Sequence, residues 1–230
     1  MQAVERALVI CAHPDDEVIA LGGTIRKLVN QGTDVRVLMF ANGNEGYVTP
    51  EEKHAIVERR RKEREVVQQI LGVSQYETYE YGDYGIPANA ETYKICIKAI
   101  RAHRPQVIFT HYWAEYMAHH SVATIATEAW WQAGWQCSAE LGEPWQAKAL
   151  FYFETLHPLP EVSDVVDITD TYEIKVKAMQ AYASQHDVVS GVLQQIEGLA
   201  KYRGSLIGVP YGEAFMRSRF VPRANSFDRI

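Results

Sequence analysis

The chain reads as an α/β protein whose mainly parallel sheet is wrapped by helices on both faces. Three observations predict this. Short apolar runs alternate with helical patterns along the whole chain, and strand–helix alternation with short connections builds a parallel sheet. The first run, Ala7-Leu8-Val9-Ile10-Cys11, is apolar at every position, as a strand buried on both faces must be. The 230 residues contain no low-complexity segment, repeat or Pro/Ser linker, so the chain can bury one full core and reads as a single domain over residues 1–230.

Ala7–Ala12 is the first strand. A helix over Leu21–Gln31 follows, and Gly32 suits its C-terminal end. Val35–Phe40 is the second strand, and Ala41–Pro50 is a loop with Asn42-Gly43-Asn44 as turn residues. Thr49-Pro50-Glu51-Glu52 starts a helix, because a cap, a proline at the first position and then acids suit the exposed N–H groups there. That helix runs to Leu71 and ends at Gly72. Glu77–Tyr81 is the third strand; a helix over Ala90–His103 stops at Arg104-Pro105; Val107–His111 is the fourth strand. His120–Gly134 is helical, Leu150–Thr155 and Val165–Ile168 are later strands, and Thr171–Ala183 and His186–Lys201 are the last helices.

The formal net charge of -6 excludes non-specific nucleic-acid binding. The basic run Glu58–Glu65 is interleaved with acids at helical spacing and reads as a solvated face. No apolar run approaches the length of a membrane span. The N-terminal MQAVERALVI lacks a basic segment followed by an apolar one, so no secretory signal is expected. Cys11, Cys96 and Cys137 are scattered and form no CxxC pair, which reads as reduced thiols in a cytoplasmic protein.

In parallel sheets, ligands sit outside the carboxyl ends of the strands, where strand order reverses. With strand order 3-2-1-4, that crevice lies between the first and fourth strands. Ala12-His13-Pro14-Asp15-Asp16-Glu17 follows the first strand, and the polar cluster His111–His120 follows the fourth. A His and an Asp from one turn, with a His from a distant helix start, suit zinc at a catalytic site with a position left for water. Such a metal lowers the pKa of its water to about 7, and a further carboxylate can take the proton. Pro14 fixes the backbone so that His13 and Asp16 converge. The structural alternative for Asp15 and Asp16 is N-capping, and Glu17 reads as a first-turn acid or a partner of a ligand. Gly22-Gly23 lacks the context of a nucleotide loop and reads as close helix–sheet packing. His54 and His103 read as surface residues. Tyr112, Trp113, Tyr116 and Met117 make the crevice wall aromatic and soft, with Tyr47, Tyr81 and Tyr84 on nearby loops. That wall suits a sugar face, an aromatic aglycone or packing between subunits.

These residues resemble the PIG-L/LmbE-like zinc-dependent N-deacetylases. The likeness rests on AHPDDE, on the Gly22-Gly23-Thr24 after it and on a histidine opening the helix after the fourth strand. Thr49–Glu52 through Ile70–Val73, Arg104–Phe109, Tyr182–Gln185 and Tyr202–Phe215 extend it over nearly the whole chain. The resemblance implies a Rossmann-like fold, a homo-oligomer, and hydrolysis of the acetamide of an N-acetylated amino sugar or related small molecule. By position, His13, Asp16 and His120 would hold Zn2+ or another divalent metal, and Asp15 would be the general base. Arg60 would bind substrate and Glu45 would contact a sugar hydroxyl.

The chain departs from the family at the second cluster. Where the family shows His-Pro-Asp-His, an ungapped count gives Met117-Ala118-His119-His120. The family's oxyanion histidine becomes Met117, which has no hydrogen to donate, and its orienting aspartate becomes His119. His119, His111 and Tyr116 are the candidates for the missing donor. His119 is also an alternative metal ligand, although adjacent residues opening a helix diverge by about 100°. The departures keep open a zinc-dependent hydratase, or another amide hydrolase, on the same fold.

Overall fold

The computed structural model describes residues 4–221. Seven strands form one sheet: β1 (Arg6–Cys11), β2 (Asp34–Ala41), β3 (Gln75–Tyr81), β4 (Val107–His111), β5 (Ala149–Phe153), β6 (Asp164–Asp167) and β7 (Gly212–Arg217). Their order is β3-β2-β1-β4-β5-β7-β6. The pairs from β3 to β5 are parallel; β7 is antiparallel to both of its neighbours. The helices are α1 (Asp16–Asn30), α2 (Ile56–Leu71), α3 (Ala90–His103), α4 (Met117–Ala133), α5 (Tyr172–Ala181) and α6 (Val192–Ser205). The fold is the Rossmann-like, mainly parallel sheet expected, with strand order reversing between β1 and β4. Among the described residues no helix is long and apolar enough to cross a membrane.

The alternation of β1 splits the core in two. Ala7, Val9 and Cys11 face one side, with Val37 and Met39, under α1, α2, α5 and α6. Leu8 and Ile10 face the other, with Leu38, Phe40 and Ile108, under α3 and α4. Each such side chain contributes about 1.5–3 kcal/mol on burial, so β1 is anchored on both faces and its carboxyl end is a rigid platform.

Several boundaries differ from the sequence expectation. α1 begins at Asp16 rather than Leu21, because the Asp15 carbonyl already accepts the Val18 and Ile19 N–H groups; Leu21 leaves the helical region (φ −144°, ψ 24°) and divides the helix. The N–H groups of Gly23 and Thr24 donate to the Glu213 carboxylate at 3.0 and 2.6 Å, and Lys175 pairs with that carboxylate at 2.6 Å. A Cβ on Gly23 would lie 2.8 Å from Ile168, just past β6, so the expected close packing is real. The helix expected from Thr49 is a short 3-10 helix over Pro50–His54, with α2 beginning at Ile56. The helix expected from His186 begins at Val192, after a 3-10 turn at Ala183–Gln185. β7 has no counterpart in the expected elements. His103 is buried, contrary to its expected surface position, with Nε2 3.0 Å from the Ala7 carbonyl.

The most consequential shift is at α4, which begins at Met117 rather than His120, with Tyr116 as its extended N-cap. The first helical bond runs from the His120 N–H to the Tyr116 carbonyl at 2.9 Å.

Candidate active site

The turn after β1 is held in an unusual backbone shape. Asp15 has φ 109°, a region that side chains disfavour by about 1–3 kcal/mol and that persists only when its surroundings over-determine it. The Asp15 carbonyl accepts the N–H groups of Val18 and Ile19, each at 2.9 Å. The Asp15 N–H donates to Glu17 Oε2 at 3.2 Å. The His13 N–H donates to Asp16 Oδ2 at 2.7 Å. Glu17 is fully buried, and its Oε1 accepts the hydroxyls of Tyr76 (3.1 Å) and Tyr182 (2.8 Å). Arg60, 3% exposed, donates to the Pro14 carbonyl and, at 3.1 Å, to Asp15 Oδ2. The loop after β2 wraps this guanidinium: a Cβ on Gly43 or Gly46 would fall within 3 Å of it.

The turn after β4 supplies the facing histidines. His119 Nδ1 pairs with Glu115 Oε2, four residues earlier. Glu115 Oε1 accepts the N–H groups of Thr155 and Leu156 at 3.2 and 3.3 Å. This ties the start of α4 to the end of β5 and aims His119 Nε2 at the first turn. His111 closes the floor behind it. The Ala12 N–H donates to His111 Nε2 at 3.0 Å, so that nitrogen carries a lone pair and the ring hydrogen sits on Nδ1, toward Thr155 Oγ1 at 3.3 Å. Burial, with His119 adjacent, pushes His111 down to about 4, which agrees with a neutral ring.

Three ligand atoms converge where the turns meet. His13 Nδ1 lies 3.3 Å from His119 Nε2 and 3.4 Å from Asp16 Oδ2; His119 Nε2 lies 3.2 Å from Asp16 Oδ1. A tetrahedral ion with bonds of about 2.0–2.1 Å has ligand–ligand edges of about 3.3 Å; the two imidazole nitrogens meet that edge, each faces its own oxygen of Asp16, and one ligand atom from each of the three residues lies within 4.8 Å of the others, so these residues fit a metal. The electrostatics agree. Burial opposes charge on His119, but the carboxylates of Asp16 and Glu115 outweigh it and raise the ring to about 9. Burial likewise opposes charge on Asp16, yet His119 holds it well below the usual carboxylate range. The cluster therefore demands positive charge.

His120 does not join this cluster. It is exposed, and its Nδ1 lies 2.7 Å from the Trp113 carbonyl. The expected ligand position is thus occupied by His119, because α4 starts a turn early and one helical residue is a rotation of about 100°. The sequence carries a usable signal for this: His119 has an acid, Glu115, four residues before it, whereas His120 has Tyr116.

The cleft around the cluster has a volume of about 220 Å3 and also takes in Asp15, Glu45, Arg60, Asp83, Tyr84 and Tyr116. Burial raises Asp15 to about 7, with Arg60 pulling it down and Asp16 and Glu17 pushing it up. The Tyr116 hydroxyl lies 3.0 Å from His13 Nδ1, and burial raises it far enough to keep it protonated. Glu45 lines the cleft, its Oε1 accepting from Asn44 at 3.0 Å. Asp83, missed in the sequence, accepts the N–H groups of Gly43 and Glu45 at 2.9 and 3.0 Å and so shapes the loop beside Arg60. Of the expected aromatic wall, Tyr84 and Tyr116 line this cleft. Tyr112 and Trp113 instead turn their rings toward Tyr152. A larger cavity of about 420 Å3 opens there between Trp113, Tyr152 and Phe220, but none of His13, Asp16 and His119 lines it.

The chain is similar to known proteins in sequence and in fold. The chain is 32% identical to the diacetylchitobiose deacetylase of Thermococcus kodakarensis, over 95% of this chain and 84% of that protein. It superposes on the N,N'-diacetylchitobiose deacetylase of Pyrococcus horikoshii with a TM-score of 0.87 and 27% identity, covering 99% of this chain and 89% of that one. A 4-carboxy-2-hydroxymuconate hydratase from Pseudomonas putida has the same fold, with a TM-score of 0.83 and 22% identity over 96% of this chain and 98% of that one. Residues 8–131 match the sequence profile of PIG-L, GlcNAc-PI de-N-acetylase, and with the identity above this makes the chain a member of the PIG-L family.

Proposed function

We propose that the chain, acting as one catalytic domain, is a zinc-dependent N-deacetylase that hydrolyses the acetamide of an N-acetylated amino sugar or a related small molecule. One observation carries the reading: His13 Nδ1 and His119 Nε2 lie 3.3 Å apart, each within 3.4 Å of an oxygen of the Asp16 carboxylate, in the same cleft as Asp15. The deacetylases to which the chain is similar support the reaction. Two imidazoles and one carboxylate suit zinc with a position left open. When bound, the metal activates a water and polarises the acetamide carbonyl.

Asp15 takes the proton of the attacking water and returns it to the departing amine. Arg60 holds that carboxylate in place, and Glu45 contacts a ring hydroxyl. The Tyr116 hydroxyl donates to the carbonyl oxygen as negative charge gathers there. With His119 as the ligand, the family pattern shifts by one residue. The donor position, three residues before the ligand, then falls on Tyr116 instead of Met117. The three free cysteines support a reducing compartment such as the cytoplasm. The exposed rings of Trp131, Trp135 and Phe220, in contact with one another, support a homo-oligomer.

The test is amine release from N-acetylated sugars after reconstitution with zinc, with Asp15→Asn in parallel. Asparagine tolerates the left-handed backbone, so the variant keeps its fold and its metal while turnover falls by about 10²–10⁴. Persistent activity in the variant overturns the base assignment. No amine from the folded, metal-loaded protein transfers the reading to a hydratase.

A further inference from the structure

The cleft has a charged floor and an apolar rim. At the floor, His13, Asp15, Asp16, Arg60 and His119 are each at most 7% exposed. At the rim, Tyr84 is 75% exposed, Leu156 44% and Val188 37%, and half-buried Val189 continues the same surface. Isolated exposed apolar residues are ordinary, but several around one opening mark a surface that something covers.

Two further observations say what covers it. At about 220 Å3, the cleft is smaller than the roughly 300–1,000 Å3 of sites that enclose a whole small ligand. Tyr84, Leu156 and Val188 line that same volume, so a molecule that reacts at the floor and extends outward runs against them. The rim is also poor in hydrogen-bonding groups. Three of the polar side chains lining the cleft lie deeper and are engaged within the protein: Arg60 with Asp15, Asp83 with Gly43 and Glu45, and Gln185 with Gly46 and Ser184. Tyr84, Leu156, Val188 and Val189 make one side of the rim hydrocarbon apart from the Tyr84 hydroxyl, and along that side a second sugar finds few partners for its hydroxyls; Tyr116, 47% exposed, and Glu45 are polar groups elsewhere on the lining.

Resting on the deacetylase reading, we infer that the substrate carries an apolar group beyond its N-acetylated ring, as an aryl or alkyl glycoside does, and that Tyr84, Leu156 and Val188 seat that group. This selects against a hydrophilic oligosaccharide. The rim belongs to the same cavity as the reactive floor, so the occupant that covers it is part of the molecule being turned over.

The experiment compares N-acetylglucosamine, its methyl glycoside, its benzyl glycoside and N,N'-diacetylchitobiose on the zinc-loaded protein. The benzyl glycoside is expected to exceed both the methyl glycoside and the disaccharide in kcat/KM by about tenfold or more, the scale on which an apolar pocket discriminates. The ratio falls towards one in Leu156→Ser and Val188→Ser. Calorimetric binding to Asp15→Asn must give the same ranking without turnover. Equal rates, or a preference for the disaccharide, overturn the inference while leaving the deacetylase intact. A rim variant that changes the protein's mass in solution but not the ratio also overturns it, assigning the rim to a second copy of this chain. No amine from any of the four compounds fails the deacetylase reading itself, and this inference with it.

Discussion

The two turns that meet at the site solve the same problem differently. The turn after β1 presents three functional residues within four positions, His13, Asp15 and Asp16. It does so by bending the backbone into a left-handed conformation at Asp15 and locking it with bonds to Glu17, Val18 and Ile19. The turn after β4 places its groups around a helix start: His119 lies in the first turn of α4, Tyr116 is its extended N-cap, and Glu115 precedes the cap and pairs with His119 Nδ1. The first turn is fixed by local chemistry and tolerates no slip. The second is fixed by where the helix starts, and a slip of one residue exchanges a buried candidate ligand for an exposed histidine.

The sharpest way to break this comparison is to remove the two adjacent histidines separately. His119→Ala should lose bound zinc and reduce turnover by about three orders of magnitude or more, since the metal's contribution goes with it. His120→Ala should keep one zinc per chain and activity within about threefold, as ordinary for a surface change away from the site. Metal analysis by mass spectrometry and amine release read both. If His120→Ala loses zinc and His119→Ala does not, the observed register of α4 is wrong. Tyr116→Phe follows in size. Losing one oxyanion donor costs about 10²–10³ in kcat, with zinc retained. A variant with unchanged kcat leaves Tyr116 a packing residue.

The same contrast explains what could be read from the sequence. The first turn was legible because its residues are consecutive and follow an apolar strand, so neither pairing partner nor register had to be known. The expected strand order around β1, 3-2-1-4, is the order found, but alternation and short loops fit more than one doubly wound order. His119 was not distinguishable from His120 by residue type, and it is Glu115, tied to the N–H groups of Thr155 and Leu156, that selects it. The acid four residues before His119 is visible in the sequence, but the tie that fixes Glu115 crosses to the end of β5, about forty residues away, and no local pattern records that part. β7 was missed for a related reason. Gly212–Arg217 pairs between β5 and β6, and its buried acid, Glu213, interrupts the apolar pattern because it caps the second half of α1 and pairs with Lys175. His103 was misplaced because its partner, the Ala7 carbonyl, lies ninety-six residues away.

Glu115→Gln tests the second turn one step back from the metal. The amide can still accept the two backbone N–H groups, but it loses the charge that steadies His119. Outer partners of this kind are worth about 10–100-fold in metal affinity. Competition against a zinc chelator should show a loss in that range with the fold intact. An unchanged affinity would mean that the pairing of Glu115 with His119 is structural and that helix geometry alone aims the ring.

Glu17→Gln is the matching test of the first turn, and its effect should be the smallest because the turn is held by several bonds. Glu17 accepts three hydrogens: the Asp15 N–H and the hydroxyls of Tyr76 and Tyr182. A glutamine has one carbonyl oxygen and must turn its NH2 toward one of these donors, leaving a buried group unsatisfied at a cost of about 1–3 kcal/mol. If the NH2 faces Asp15, the base shifts, and kcat falls by up to about tenfold with KM and zinc content unchanged, because proximity catalysis responds to sub-ångström misplacement. Tyr182→Phe leaves the Asp15 bond in place, so it should lower the melting temperature without moving kcat. A Glu17→Gln enzyme that is less stable but equally fast would show that the bonds of Val18 and Ile19 to the Asp15 carbonyl suffice to hold the strained turn.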